Sequence, residues 1–346
     1  MEEFKILCIG DPHIKESSVI ETQILGDKIV ETINAEHPEI VVVMGDTLHN
    51  HEKINCTIQV MAVKFFERIL EASSDLKLYV IIGNHDIPNP HEFLPDTHAF
   101  YSLKGRDRRL VIVDKPVVAK HRWCNFLFVP FVPPGRFREA CELVIPYEEV
   151  PEKISTIFCH QEFNGVMMEN HSPANDSENY PSDFPLCVAG HIHKYQVVGD
   201  NLFYTGTPYQ HRFGEDTDKA LLCLNFAGDE ITPKRVFVSG IPLKKNFTVS
   251  KDEFMDLEVN QTDNYKIEVY GYEGEITSLK LSEKHSSLKK MKNVKILYSV
   301  MSERAAHEEK LKDIVSLSFK QRLEDLVKGQ NDPVKLKMHE MICKKV

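Results

Sequence analysis

The 346-residue chain contains no apolar run near the ~20 residues needed to cross a bilayer, so neither a helical membrane span nor a membrane partner is expected. Its eight cysteines include no Cys-x-x-Cys pair, which leaves a zinc ribbon or a thioredoxin-type site without support. Cys8, Cys159, Cys187 and Cys223 instead sit in apolar, strand-like runs, where a free thiol behaves as a small hydrophobe. Reduced cysteines in a cytoplasmic compartment are therefore expected. The opening Met1-Glu2-Glu3-Phe4 lacks a basic n-region, so a secretory signal is not expected. Internal repeats and low-complexity tracts are missing too. Positive charge is in short supply: 42 Lys plus Arg face 52 Asp plus Glu, a net charge of −10. Phosphate contacts rely on Lys and Arg, so charge alone does not support avid, unaided binding of nucleic acid. The basic stretch Lys289-Lys290-Met291-Lys292-Asn293-Val294-Lys295 reads as a solvated face.

What is present is an ordinary globular composition, 42% hydrophobic and 27% charged, long enough for about two domains. Phe4, Ile6 and Ile9 mark a buried strand that breaks at Gly10-Asp11-Pro12-His13. Residues 19–36 carry apolar side chains at helical spacing and stop at Pro38. Residues 40–44 form a near-continuous apolar run, as in a strand buried on both faces, ending in Gly45-Asp46-Thr47-Leu48-His49. A helix over 56–72 leads to a strand at 78–82 and the break Gly83-Asn84-His85-Asp86. This strand-helix-strand rhythm predicts right-handed crossovers and parallel neighbours. Strands are expected at 110–113, 126–129, 154–159 and 186–189, a short helix at 136–143, and a long loop at 164–183. The strand at 154–159 ends on His160, and that at 186–189 on Gly190-His191-Ile192-His193. Runs at 202–204, 220–224 and 235–238 read as antiparallel strands of a second sheet. From 241 a small β-α-β unit follows, with its helix at 277–292. The tail, 301–346, reads as a polar linker and amphipathic helices, one opened by the cap signal Asp332-Pro333.

Polar residues that can bind metal follow one strand after another: Asp11, His13, Asp46, His49, Asn84, His85, His160, His191 and His193. Strand ends of an α/β sheet are where such sheets place ligand chemistry. Each piece alone has an ordinary reading. Asp-x-His arises by chance, Gly-Asp and Gly-Asn are turn formers, and a single His commonly caps a loop. It is the conjunction, each member directly after an apolar strand, that points to a metal site. Carboxylate oxygens suit hard divalent ions and imidazoles suit manganese, iron or zinc. Two ions ~3.5–4 Å apart can clamp a phosphate, activate a water and stabilise a leaving oxygen. Asp46 is the natural bridge between them, and neutral Asn84 limits the negative charge met by an incoming phosphodiester.

These motifs resemble the signature of calcineurin-like metallophosphoesterases, and within them the SbcD-type DNA double-strand-break repair nucleases, including phage and viral relatives. Gly45-Asp46-Thr47-Leu48-His49 carries that group's extra His, Gly83-Asn84-His85-Asp86-Ile87-Pro88 its Pro, and Tyr204-Thr205-Gly206-Thr207-Pro208-Tyr209-Gln210 with Phe213-Gly214-Glu215 its late segment. The resemblance implies a four-layer α/β/β/α sandwich over residues 1–240, a small capping domain at 241–300, and C-terminal helices that dock an SMC-like coiled-coil ATPase of the SbcC type. It implies a first ion on Asp11, His13, Asp46 and His193, and a second on Asp46, Asn84, His160 and His191, most often manganese. His85 would be the general acid or transition-state stabiliser near the leaving oxygen, oriented by Asp86, and His49 would position the scissile phosphate or DNA end. DNA as substrate and a homodimer are implied in the same way. A phosphatase or small-molecule phosphodiesterase on the same scaffold is the competing expectation, and a non-catalytic scaffold is a third. His49 and the extra C-terminal third favour the nuclease.

Overall fold

A computed structural model describes residues 2–50, 55–168, 172–174 and 177–301. The expected C-terminal helices lie outside the described residues. The chain divides into two compact units, one running through Lys244 and the other starting at Lys245.

The strands of the first unit are β1 (Glu3–Ile9), β2 (Ile40–Val43), β3 (Lys77–Ile81), β4 (Leu110–Val113), β5 (Val117–His121), β6 (Cys124–Val129), β7 (Thr156–His160), β8 (Leu186–Gly190), β9 (Gln196–Val198), β10 (Leu202–Tyr204), β11 (Ala220–Ala227) and β12 (Glu230–Phe237). Its helices are α1 (Val19–Glu36), α2 (Cys56–Glu71), α3 (Phe137–Glu142) and α4 (Val150–Lys153). One six-stranded sheet runs β12-β11-β1-β2-β3-β4 and the other β5-β6-β7-β8-β10-β9. In the first, β1 to β4 are parallel and β11 and β12 antiparallel. In the second, β6, β7, β8 and β10 are parallel, with antiparallel strands at both edges.

Alternation along the strands builds the layers. On β1, Ile6 and Cys8 enter the core between the sheets, with Tyr79, Phe126, Phe128, Phe158 and Phe226. Leu7 and Ile9 point the other way, onto Leu25, Ile29 and Ile33 of α1 and Phe66 of α2. Leu127, Ile157 and Cys187 of the second sheet pack on Phe137 of α3 and Val150 of α4. Parallel strands covered on both faces are apolar on both, which is why β2 reads Ile-Val-Val-Val. Stacked rings join the sheets, with Tyr79 on Phe128 at 4.1 Å and 6°. The result is a helix/sheet/sheet/helix sandwich, as expected. Cys8, Cys159, Cys187 and Cys223 are buried free thiols. Among the described residues no helix is long and apolar enough to cross a membrane.

Two expectations need correction. Residues 202–204, 220–224 and 235–238 do not make a separate antiparallel group. β10 pairs parallel with β8, while β11 returns to the first sheet and lies antiparallel on β1. There β11 is buried on both faces, with Leu222 and Leu224 between the sheets and Leu221 and Cys223 on the helix side. β12 is the exposed edge and carries Pro233, where a missing N–H is tolerated.

The second unit holds β13 (Lys244–Val249), α5 (Lys251–Asp256), β14 (Asn264–Gly271), α6 (Glu273–Lys280), α7 (Glu283–Lys289) and β15 (Val294–Val300), in a three-stranded sheet ordered β13-β14-β15. β14 and β15 are parallel, joined by helix. The single helix expected at 277–292 is instead two, because Ser282 caps a new start by accepting from the His285 N–H at 3.1 Å. Lys289, Lys290, Lys292 and Lys295 are exposed, so the basic stretch is a solvated face.

Candidate metal centre

Register brings the polar breaks together. Cys8 pairs with Val42, and Val43 with Val80, so β1, β2 and β3 end side by side. His160 pairs with Gly190 at the ends of β7 and β8. From these five ends come Asp11 and His13, Asp46 and His49, Asn84 to Asp86, His160, and His191 with His193, and one cluster gathers them.

The turns that do this are strained. His13, Asp46 and His191 adopt φ of 44°, 46° and 80°, a region uncommon for residues with a Cβ and frequent at functional sites. Backbone pairing holds the strain: His13 N–H donates to the Asp46 carbonyl at 3.0 Å and Ile14 N–H to the Thr47 carbonyl at 2.8 Å. Gly45, at φ 104°, lies so close to the ring of His160 that a Cβ would come within 2.1 Å of Nδ1. At Gly83 a Cβ would come within 2.2 Å of Asp46 Oδ1.

At the heart of the cluster too many acceptors converge. Asn84 Oδ1 lies 3.1 Å from His160 Nε2 and 2.9 Å from His191 Nδ1. Those two nitrogens are 3.3 Å apart, and Asp46 Oδ1 is 3.3 Å from His160 Nε2. His160 Nδ1 is 2.7 Å from the Met44 carbonyl, which can only accept, so Nδ1 is assigned the hydrogen and Nε2 faces the cluster. Without a metal cation, one proton relieves this crowding. Burial opposes a charged His160, yet Asp46 and Asp11 hold its imidazole well above the usual range. A divalent cation at this point would take the proton's place.

A second convergence adjoins the first. His13 Nε2 is 3.0 Å from His193 Nε2 and 3.6 Å from Asp46 Oδ2. Asp11 Oδ1 accepts from the His191 N–H at 3.1 Å, while Asp11 Oδ2 is buried with no hydrogen-bond partner. A buried carboxylate oxygen with no partner is a free acceptor of the kind that a cation would satisfy. Burial holds His13 well below its usual pKa, and burial together with His160 takes His191 down to about 3. Asp46 is well below the carboxylate range, because His160, His13 and His85 outweigh its burial. Neutral imidazoles around an ionised carboxylate are ready to ligate metal. Donor atoms lie within 4.8 Å of one another in two groupings, Asp46 with His160 and His191, and His13 with His49 and His85, and neither includes Asp11 or His193. The residues fit divalent cations.

His49 and His85 form the half-buried outer edge, their rings stacked at 5.7 Å and 15°. The His85 ring is oriented by the His49 carbonyl, 2.6 Å from Nδ1. The Asp86 carboxylate accepts from the N–H groups of Gly83, Thr47 and Leu48 at 3.0, 3.3 and 3.0 Å. It ties the β2 and β3 loops together and so places Asp46 and His85 through the backbone. Burial and the Asp46 charge push Asp86 up to about 7 against the pull of those amides. Burial, with Lys15, His85 and Arg212 close by, lowers His49 to about 4.

Three neighbours escape a reading of the sequence. His211 Nε2 donates to the Asp11 carbonyl at 2.9 Å. Glu215 accepts from the N–H groups of His211 and Arg212 at 3.0 and 3.1 Å and lies 3.7 Å from His193 Nδ1. Glu162 stands 3.9 Å from His191 Nε2. Only the Phe213-Gly214-Glu215 segment gives any hint of them.

A two-sheet sandwich with this set of donors at its strand ends defines a metallophosphoesterase-type hydrolase. The model of the calcineurin-like phosphoesterase family matches residues 4–195, and the chain belongs to that family. It is 32% identical over 288 residues to "Putative phosphoesterase 244L" of Invertebrate iridescent virus 6, covering 82% of this chain and 99% of that protein. "Putative phosphoesterase 078R" of Invertebrate iridescent virus 3 is 31% identical over 293 residues, covering 83% and 82%. The SbcD component of the nuclease SbcCD from Staphylococcus saprophyticus is 23% identical over 299 residues, covering 75% and 76%.

Proposed function

We propose that the protein is a manganese-dependent DNA nuclease that hydrolyses phosphodiesters with two metal ions, as an exonuclease on duplex ends and an endonuclease on single strands or hairpins. The observation that carries the reading is the His49–His85 pair, stacked at the outer edge of the metal centre where a strand's phosphate would arrive. Likeness to a nuclease component over 75% of this chain supports it.

Asp11, His13, Asp46 and His193 would hold one ion, and Asp46, Asn84, His160 and His191 the other. Bound there, such ions would polarise the phosphoryl oxygens and lower the pKa of an attacking water. Asp46 belongs to both sets, with His85 N–H fixing its Oδ1 at 2.8 Å. The His85 Nδ1–H donates to the His49 carbonyl, leaving Nε2 as the nitrogen that passes a proton to the leaving oxygen. His49, held 3.4 Å from His13 by its Nδ1, positions the scissile phosphate.

The protein acts inside the cell as a homodimer with an SMC-like coiled-coil ATPase of the SbcC type, docked through residues 316–346. That partner would supply DNA grip that a chain of net charge −10 lacks. Labelled duplex and hairpin DNA, cyclic nucleotides and an aryl phosphate, each with manganese, separate the readings. DNA cleavage is expected; turnover of the small esters with intact DNA would assign a phosphatase or small-molecule phosphodiesterase instead. Truncation before residue 316 is expected to abolish co-purification with the ATPase, and undiminished binding would refute that docking role.

A further inference from the structure

Beside the metal centre a cleft of about 390 Å³ opens next to His193. One part of its wall is Met167, Met168 and Phe213, two thioethers and an aromatic ring. Lys194 and Arg212 stand in its exposed rim. Deeper in the lining, Lys219 is 3.3 Å from Glu215 and 3.6 Å from Asp216. Three cations therefore face two carboxylates, a locally positive lining in a chain of net charge −10.

The methionine wall is built to stay in place. Gln196 clamps the Met167 backbone from both sides, accepting from its N–H at 2.8 Å and donating to its carbonyl at 3.0 Å. Met168 N–H donates to the Ser172 carbonyl at 2.9 Å. On the other side, the Glu215 carboxylate grips the His211 and Arg212 N–H groups, fixing the turn that presents Phe213. Polarisable sulfur and an aromatic face accept a flat π-system of any sequence, and the basic rim suits the phosphate attached to it.

We propose that this cleft is a nucleobase subsite, in which Phe213 with Met167 and Met168 seats the base of the nucleotide next to the scissile phosphate while Lys194 and Arg212 hold its flanking phosphate. The proposal rests on the nuclease reading and adds to it how the strand is gripped without base-specific hydrogen bonds.

The test compares the full-length wild type with Phe213→Ala, Phe213→Trp and Met167→Ala. Affinity for a short single-stranded oligonucleotide containing 2-aminopurine is read by fluorescence in EDTA, apart from turnover. Cleavage is then measured with manganese on an intact oligonucleotide and on versions abasic at either neighbour of the cut, with bis-p-nitrophenyl phosphate as a substrate without a base. Phe213→Ala should bind the intact strand about tenfold more weakly and raise KM more than it lowers kcat, as loss of one base–aromatic stack does. Phe213→Trp should restore binding, and Met167→Ala should lose part of it. The abasic strand should weaken wild type by a similar factor but Phe213→Ala hardly further, because both remove one contact. Equal sensitivity of wild type and Phe213→Ala to the abasic position, or unchanged affinity in Phe213→Ala, overturns the subsite while leaving a nuclease. Wild-type turnover of the aryl diester with no cleavage of any DNA overturns the nuclease reading and the subsite with it.

Discussion

Gly83→Ala should damage the metal centre without replacing any of its candidate ligands. Gly83 has φ −92°, which alanine adopts freely, so the effect is steric alone. The new Cβ would lie 2.2 Å from Asp46 Oδ1, 2.3 Å from Asp46 N and 3.0 Å from Asp46 Cγ. Ordinary contact begins at 3.4 Å, so the carboxylate must retreat by more than an ångström. Retreat is blocked. Asp46 sits in the left-handed region at φ 46°, its carbonyl accepts from His13 N–H, and its Oδ1 accepts from His85 N–H at 2.8 Å. Overpacking of this kind costs about 1–3 kcal/mol. Displacing the one carboxylate that faces both groups of donors should weaken manganese binding by about tenfold or more, in line with losses of that order when a ligand's supports are disturbed. Denaturation by urea in EDTA reads the first quantity and calorimetric titration with manganese the second. Gly274→Ala in α6 meets nothing within 4 Å and should leave metal binding unchanged. Wild-type manganese affinity in Gly83→Ala would refute the claim that Asp46 is central to both sites.

Three other outcomes are expected. If His85 is the proton donor proposed above and not a metal ligand, His85→Gln should keep its metal yet lose DNA cleavage by about a hundredfold or more, read by titration and by product formation. Glu215→Gln should weaken manganese binding by about tenfold, because the carboxylate near His193 Nδ1 and the anchor of the His211 turn are both altered. Asp114 is buried and accepts from His98 Nε2 at 3.2 Å and from Lys104; although burial opposes ionisation, these partners take its pKa down to about 2 from 3.8. A lowered carboxylate pKa stabilises the fold above the unfolded value, and the benefit disappears as pH falls through the folded one. Asp114→Asn should therefore cost about 2 kcal/mol at pH 7 and about half of that at pH 3, measured by urea denaturation; a difference independent of pH would contradict the ionic account.

How much of the fold and the site is legible in the sequence depends on the kind of signal. The break from an apolar run into Gly-Asp or Gly-Asn-His marks a strand end locally, so Asp11, Asp46 and Asn84 stand out without any knowledge of the fold. The helix at 19–36 is equally plain from its spacing and from Pro38. Strand partnership is not, because periodicity shows which faces are buried and not which neighbour buries them. Hence the run at 220–224 suggests the wrong sheet, although its double-sided apolar pattern suits the free edge of β1. The stretch 277–292 reads as one unbroken helix because Ser282 is an inconspicuous cap until the amide it accepts from is seen. His211, Glu215 and Asp86 act mainly on backbone groups, an effect that leaves no spacing pattern to find.

The most direct measurement is anomalous diffraction from crystals soaked in manganese. Two peaks are predicted, both touching Asp46, one also against Asp11, His13 and His193 and the other against Asn84, His160 and His191. A single peak, or peaks away from Asp46, would contradict the two-metal centre.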